Sequence, residues 1–194
     1  MNTYWPFRID DRHLWAYTNN FITPEECDNI VKYGKEHGLK KGKIGSGDKL
    51  QEEISYRDSN ITWLFPNKET ESLYRRMSDV VTGLNNQYFH FDIEGFGEGF
   101  QFTEYQAPAG KYGKHIDSIH KGMIRKLSIS LQLSDPDEYE GGDLVLYDGD
   151  EPLKMQKAKG TLVMFPSFVM HEVTPVTKGT RHSLVAWITG PRFK

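Results

Sequence analysis

From Phe89 to the end of the chain, the sequence breaks into short runs of alternating polarity separated by glycine, proline and aspartate. A side-chain repeat of two belongs to β-strands, and short strands at close spacing pair into a sandwich or a barrel. Phe100-Gln101-Phe102-Thr103-Glu104-Tyr105 alternates, and so does Leu127-Ser128-Ile129-Ser130-Leu131-Gln132-Leu133. Gly160 to Phe165 and Ser183 to Ile188 are two further apolar strands, and Asp148-Gly149-Asp150 has the composition of a tight hairpin turn. About eight strands are predicted in this part of the chain.

Upstream the period is helical. Thr23-Pro24-Glu25-Glu26 combines an N-cap threonine, a first-turn proline and the glutamate of a capping box. Ile30, Val31 and Gly34 follow, and Gly38 is a C-terminal stop signal. A second helix is predicted from Lys68 to Tyr88. Its Leu73, Met77, Val80, Val81, Leu84 and Tyr88 fall on one face. Between the two helices, residues 38–53 are rich in Gly, Lys and Ser without an apolar period, which predicts a mobile loop able to close over a substrate.

Two helices followed by strands give a mainly β, α+β expectation: a double-stranded β-helix, or jelly roll, with N-terminal helices packed on one sheet. One domain is expected over residues 1–194, with a helical support region at 1–90 and a jelly-roll core at 91–194. Its 194 residues are 37% hydrophobic and 26% charged, the balance of a globular domain. The single cysteine, Cys27, excludes an internal disulfide and points to a reducing compartment. No secretory signal and no apolar stretch of about 18 residues is visible, so a cytoplasmic location without membrane contact is expected. A net charge of -3 gives no electrostatic reason to expect nucleic acid binding, although Lys40, Lys41, Lys43 and Lys49 cluster.

The chemistry is carried by His115-Ile116-Asp117, by His171 and by Arg181. Two imidazoles and one carboxylate can hold three neighbouring positions on non-haem iron(II), leaving the others for a co-substrate and oxygen. His115 and Asp117 are two residues apart, so on an extended strand both leave the same face. His171 would then come from a second strand. Arg181 offers a permanently charged planar fork for a carboxylate. Such a set would also accept manganese, cobalt or nickel.

With these residues in hand, the chain resembles iron(II)/2-oxoglutarate-dependent dioxygenases of the prolyl hydroxylase branch. The match runs through Tyr105, Gly110, Tyr112, His115 and Asp117, then residues 135–144, then His171-Glu172-Val173-Thr174-Pro175-Val176 and Thr180-Arg181-His182-Ser183. The last two blocks resemble the PKHD-type hydroxylases in particular. The resemblance implies Fe(II) on His115, Asp117 and His171, with 2-oxoglutarate as co-substrate, O2 as oxidant and ascorbate as reductant. It further implies that Arg181 meets the far carboxylate of 2-oxoglutarate. Ser183 shares the Arg181 face of its strand and offers a second hydrogen bond. Tyr105 matches a tyrosine that touches the co-substrate in related prolyl hydroxylases. Gln132 stands where some relatives carry another tyrosine, and its amide can also donate to a carboxylate.

The implied reaction hydroxylates an unactivated C–H bond, most simply of a prolyl residue in a peptide or protein, releasing succinate and CO2. A free amino acid or other small molecule, or a non-catalytic metal-binding sensor module, are the alternatives. Arg125 and Trp187 match positions that contact the peptide in prolyl hydroxylases, with packing an equal reading for Trp187. Tyr112 is a pocket wall or a core aromatic. Arg57 and Trp63 line the substrate groove, or are a solvated arginine and a core tryptophan. His120 is expected in a loop, away from the Asp117 face. His182 and Glu172 are expected to point away from the site. Gly95-x-Gly97-x-Gly99 lacks dinucleotide spacing and is expected to form a turn. Asp135-Pro136-Asp137 misplaces the glycine and glutamate of a calcium loop.

Overall fold

The structure, a computed structural model, describes residues 13–44, 51–117, 119–120 and 122–193. Fifteen strands lie among them. The first five are β1 (Ala16–Thr18), β2 (Lys40–Lys41), β3 (Arg57–Asp58), β4 (Asn60–Leu64) and β5 (Gly95–Phe96). Next come β6 (Phe100–Gln106), β7 (Lys111–His115), β8 (Ile119–His120), β9 (Met123–Gln132) and β10 (Tyr139–Gly141). The last five are β11 (Leu144–Asp148), β12 (Glu151–Lys154), β13 (Leu162–Pro166), β14 (His171–Val173) and β15 (Val176–Gly190).

They form two antiparallel sheets. The major sheet runs β1-β13-β9-β15-β6-β4-β2, with β5 and β10 on β15 and β8 on β9; the minor sheet runs β12-β11-β14-β7-β3. This is the expected double-stranded β-helix. Two of the extra strands, β5 and β8, are two-residue pairings too short to leave a period in the sequence.

The major sheet is buried on both faces. Phe100 and Phe102 of β6, Leu127, Ile129 and Leu131 of β9, and Leu184, Ala186 and Ile188 of β15 form one apolar layer with the helices. The intervening residues Gln101, Thr103, Tyr105, Ser128, Ser130, Gln132, Arg181 and Ser183 are equally buried but mostly polar. The alternation therefore separates a helix-packed apolar face from a polar inner face, since successive strand side chains leave opposite sides.

Helix α1 (Pro24–Glu36) begins as expected: Thr23 accepts from the Glu26 amide at 3.1 Å, and the Glu26 carboxylate accepts from the Thr23 amide at 2.7 Å. Gly38 lies just past its end with φ 76°. Gly34 rests on the Phe102 ring so closely that a Cβ there would sit 2.5 Å from a ring carbon. Helix α2 (Glu71–Leu84) starts three residues later than expected because Asn67 closes a turn before it, accepting from the amides of Glu69 and Thr70. It runs on through a π-helical turn, Asn85–Phe89, ended by His90 in the left-handed region.

Three expectations change. Residues 40–41 of the proposed loop form the edge strand β2 against Asn60 and Ile61, while residues 45–50 and Ser118 lie outside the described residues. His120 lies in β8, where the chain doubles back through Gly122 (φ 80°) into β9. Gly95 and Phe96 pair with Thr189 and Ile188 instead of forming a turn, and the bend falls at residues 97–98. Among the described residues no helix is long and apolar enough to cross a membrane.

Gly34→Ala is expected to destabilise the fold by about 1–3 kcal/mol through overpacking on Phe102, set against a helix-propensity gain of up to about 1 kcal/mol. Urea unfolding should show a lower midpoint at unchanged slope.

Candidate metal centre

His115 ends β7 and His171 opens β14. The two strands pair in the minor sheet with these residues opposite one another. Asp117 lies two residues past His115, held by its amide, which donates to the Ser167 carbonyl at 2.8 Å. Ile116 is exposed while its two neighbours turn inward. One ligand-capable atom from each of His115, Asp117 and His171 lies within 4.8 Å of the others, the only such group of three found among the described residues.

Both rings are oriented from behind. His115 Nδ1 is 2.7 Å from the Gly113 carbonyl and His171 Nδ1 is 2.9 Å from the Val169 carbonyl. A carbonyl only accepts, so each Nδ1 carries a proton and each Nε2 faces Asp117, at 3.8 Å and 3.4 Å. Tyr112 stacks on the His115 ring at 3.6 Å, with the Arg57 guanidinium 4.5 Å over the tyrosine ring.

Asp117 is fixed from the major sheet. Its Oδ2 accepts from Ser128 Oγ and from Trp187 Nε1, both at 2.8 Å, and Ser128 is in turn 2.9 Å from Ser167 Oγ. Among the described residues Oδ1 accepts no hydrogen bond, and the Arg125 guanidinium stands 3.8 Å from it. Oδ2 is thus tied down while standing 3.4 Å from His171 Nε2, and Oδ1 is left open 3.8 Å from His115 Nε2.

The electrostatics fit a cation. Burial pushes the His115 imidazole down to about 4, and neighbouring His171 adds to this. Burial opposes charge on Asp117, but His171, His115 and Arg125 outweigh it and hold the carboxyl well below its usual range. Burial also opposes charge on His171, but Asp117 outweighs it and raises the imidazole. Two neutralisable imidazoles facing a fixed carboxylate are a donor set for a divalent metal, which would displace the His171 proton.

Arg181 is on the opposite sheet, 1% exposed, and among the described residues has no carboxylate partner. It donates to Ser183 Oγ at 3.3 Å and to Gln132 Oε1 at 2.8 Å, and lies 5.4 Å from the Tyr105 ring centroid. Its Nε is buried with no hydrogen-bond partner. A buried unpaired guanidinium is costly unless an anion reaches it, and one cleft joins it to the triad past Tyr105 and Ser183. A dicarboxylate fits that arrangement.

Other expected residues divide. Gln132 turns its oxygen to Arg181 and its amide nitrogen to Ser130, so it props the guanidinium and does not reach into the cleft. Trp187 lines the groove and also holds Asp117, so it is more than packing. Arg57 is not solvated: it is buried, bonded to Ser59, the Lys43 carbonyl and Gln101. Arg125 lies 3.9 Å over the Trp187 ring and pairs with Glu98 at 2.6 Å. Trp63 is half-buried beside Trp187 and lines the same groove. His182 faces the helix side, stacked on Phe102 between Glu104 and Ser134, and Glu172 meets the Tyr147 hydroxyl. Residues 136–138 form a short 3-10 turn.

Sequence reasoning missed Ser128, Ser167 and Glu98. The serine at alternate strand positions was the signal for Ser128. Glu98 was hidden in a glycine-rich segment read as a turn.

Residues 100–189 match the model of the 2OG-Fe(II) oxygenase superfamily. The matched span holds the triad and Arg181 and makes up less than half of the chain. The curated proteins to which it is similar include PKHD-type hydroxylases. One from Shewanella sp. (strain ANA-3) is 44% identical over 94 residues, 45% of this chain and 41% of the relative. One from Prochlorococcus marinus is 38% identical over 99 residues, 50% of this chain and 44% of the relative. The chain thus spans less than half the length of these curated relatives. The crystal structure of a Pseudomonas putida prolyl-4-hydroxylase superposes with a TM-score of 0.73 at 22% identity, covering 93% of this chain and 94% of that one. A prolyl hydroxylase from Trichoplax adhaerens, solved with a hypoxia inducible factor oxygen degradation domain peptide fragment, gives 0.75 at 18%, covering 91% and 84%. At such identities the likeness establishes the fold. Fe(II) and 2-oxoglutarate are the metal and co-substrate of the superfamily, and both fit this site.

Asp117→Ala is expected to abolish metal binding. Trp187→Phe, which keeps the ring and removes the donor to Asp117, should weaken it by roughly 10–100-fold. Anaerobic calorimetric titration with Fe(II) reads both, and unchanged affinity in Trp187→Phe would remove its positioning role.

Proposed function

We propose that the chain is an Fe(II)- and 2-oxoglutarate-dependent hydroxylase acting on a prolyl residue of a peptide or protein. The observation that carries this reading is the pairing, across one cleft, of a largely buried His-Asp-His set with a buried arginine that has no carboxylate partner among the described residues. His115, Asp117 and His171 would hold the ferrous ion, Ser128 and Trp187 keeping the carboxylate in register. Arg181 and Ser183 would take the far carboxylate of 2-oxoglutarate. The Tyr105 hydroxyl, which has no hydrogen bond to the described protein, is available to the same group.

When bound, the ion and co-substrate supply oxidation of an unactivated C–H bond by O2, with succinate and CO2 as co-products and ascorbate restoring the ferrous state. The protein's share is positional. The apolar helix face and the buried inner row exclude water, and Arg181 sets the depth to which the diacid enters. No protein nucleophile or general base is required. A peptide is favoured over a free amino acid by the open groove outside the triad, and by the prolyl hydroxylase neighbours, one of which was solved with a peptide.

The test is mass spectrometry of proline-containing peptides incubated with Fe(II), ascorbate and 2-oxoglutarate. A gain of one oxygen on proline, matched by succinate, is expected. Bound metal with neither product would sink the reading. Arg181→Gln should raise the KM for 2-oxoglutarate about 100-fold while metal affinity stays within about twofold, because a charged hydrogen-bond partner is worth several kcal/mol. An unchanged KM would remove Arg181 from the co-substrate site.

A further inference from the structure

Outside the triad lies a groove of about 560 Å³. One wall is aromatic: Tyr112, and Trp63 with Trp187, their rings 6.0 Å apart. The other wall is basic. Lys40 and Lys41 come from edge strand β2 and Lys43 from just beyond it, while Arg57 and Arg125 lie deeper. Two of these five cations are answered within the protein, Lys41 by Asp58 at 2.9 Å and Arg125 by Glu98 at 2.6 Å. Among the described residues Lys40, Lys43 and Arg57 have no carboxylate partner. Asp117, the one acid among the described residues that line the groove, is turned to the histidines.

Arg57 is the telling member. It is 7% exposed, and only three of its five N–H groups are used, on Ser59 Oγ, the Lys43 carbonyl and Gln101 Oε1. Like Arg181, it is a desolvated cation with no carboxylate partner among the described residues, and an anion arriving from outside would stabilise it. The chain as a whole carries -3, so this local excess is not the overflow of a basic protein.

We propose that the groove selects a peptide whose acidic side chains flank the residue to be oxidised. Arg57 takes one carboxylate, and Lys40 and Lys43 draw the chain in. This rests on the peptide hydroxylase reading above and names its substrate class. A peptide suits the groove better than a nucleic acid strand because, among the described residues, β2 ends the major sheet, and a sheet edge can pair with an extended backbone. Three uncompensated cations are also few for a phosphate chain.

The test uses the full chain with Mn2+ and 2-oxoglutarate. Fluorescence anisotropy compares labelled proline peptides flanked by Asp and Glu, by Asn and Gln, or by Lys, with oligothymidylate as a fourth probe. The acidic peptide should bind about tenfold tighter than its amide counterpart, and the advantage should shrink as salt rises. Arg57→Gln should lose most of that advantage. Because Arg57 packs on Tyr112, the exposed pair Lys40→Glu with Lys43→Glu provides the second arm and should transfer preference to the lysine-flanked peptide. Equal binding of acidic and amide peptides, no transfer in the reversed pair, or tighter binding of the oligonucleotide would each overturn the proposal. Oxygen incorporation is followed in parallel samples in which Fe(II) and ascorbate replace Mn2+. Charge-selective binding without it defeats the hydroxylase reading alone, and incorporation without charge preference defeats the selectivity alone.

Discussion

Everything at the site depends on the major sheet being buried on both faces with opposite chemistry. The central strand β15 pairs with β6 on one side and β9 on the other. Its even-numbered residues Leu184, Ala186 and Ile188 lock into the apolar layer under the helices. Its odd-numbered residues Arg181, Ser183 and Trp187 are thereby forced into the interior, because a strand cannot turn one row without turning the other. The helices thus do more than stabilise. By covering one face they desolvate the groups on the other, and a guanidinium in that position binds an anion more strongly than one in water.

The two sheets divide the work. Both histidines come from the minor sheet, and Arg181, Gln132 and Tyr105 from the major sheet. Asp117 bridges them, being attached to the minor sheet through the chain and to the major sheet through Ser128 and Trp187. Metal geometry and sheet spacing are therefore coupled. Arg125 joins the same network, stacked on Trp187 and paired with Glu98. The groove that would receive a substrate thus ends in the residues that orient the carboxylate.

Much of the site was legible because its spacing is short or its chemistry rare. His115 and Asp117 lie two residues apart, and Arg181 and Ser183 likewise, so strand alternation alone puts each pair on one side. The strands β6, β9, β13 and β15 carry long enough alternation to be seen. Other features were hidden for physical reasons. Two-residue pairings such as β5 and β8 have no period to detect, and Arg57 resembles any surface arginine until its three acceptors are brought round it from Lys43, Ser59 and Gln101. Gln132 could have donated into the cleft. Its neighbours, Arg181 and Ser130, decide that it turns to the protein instead.

By itself, the sequence determined the strand pattern, the helix caps and the set of residue types able to hold a metal and a diacid, since these depend on local period and intrinsic chemistry. The convergence was decided only in three dimensions: which serine and which tryptophan hold Asp117, and which cations of the groove find carboxylates. Those outcomes depend on contacts between strands far apart in the chain, and sheet register, not spacing along the sequence, sets them.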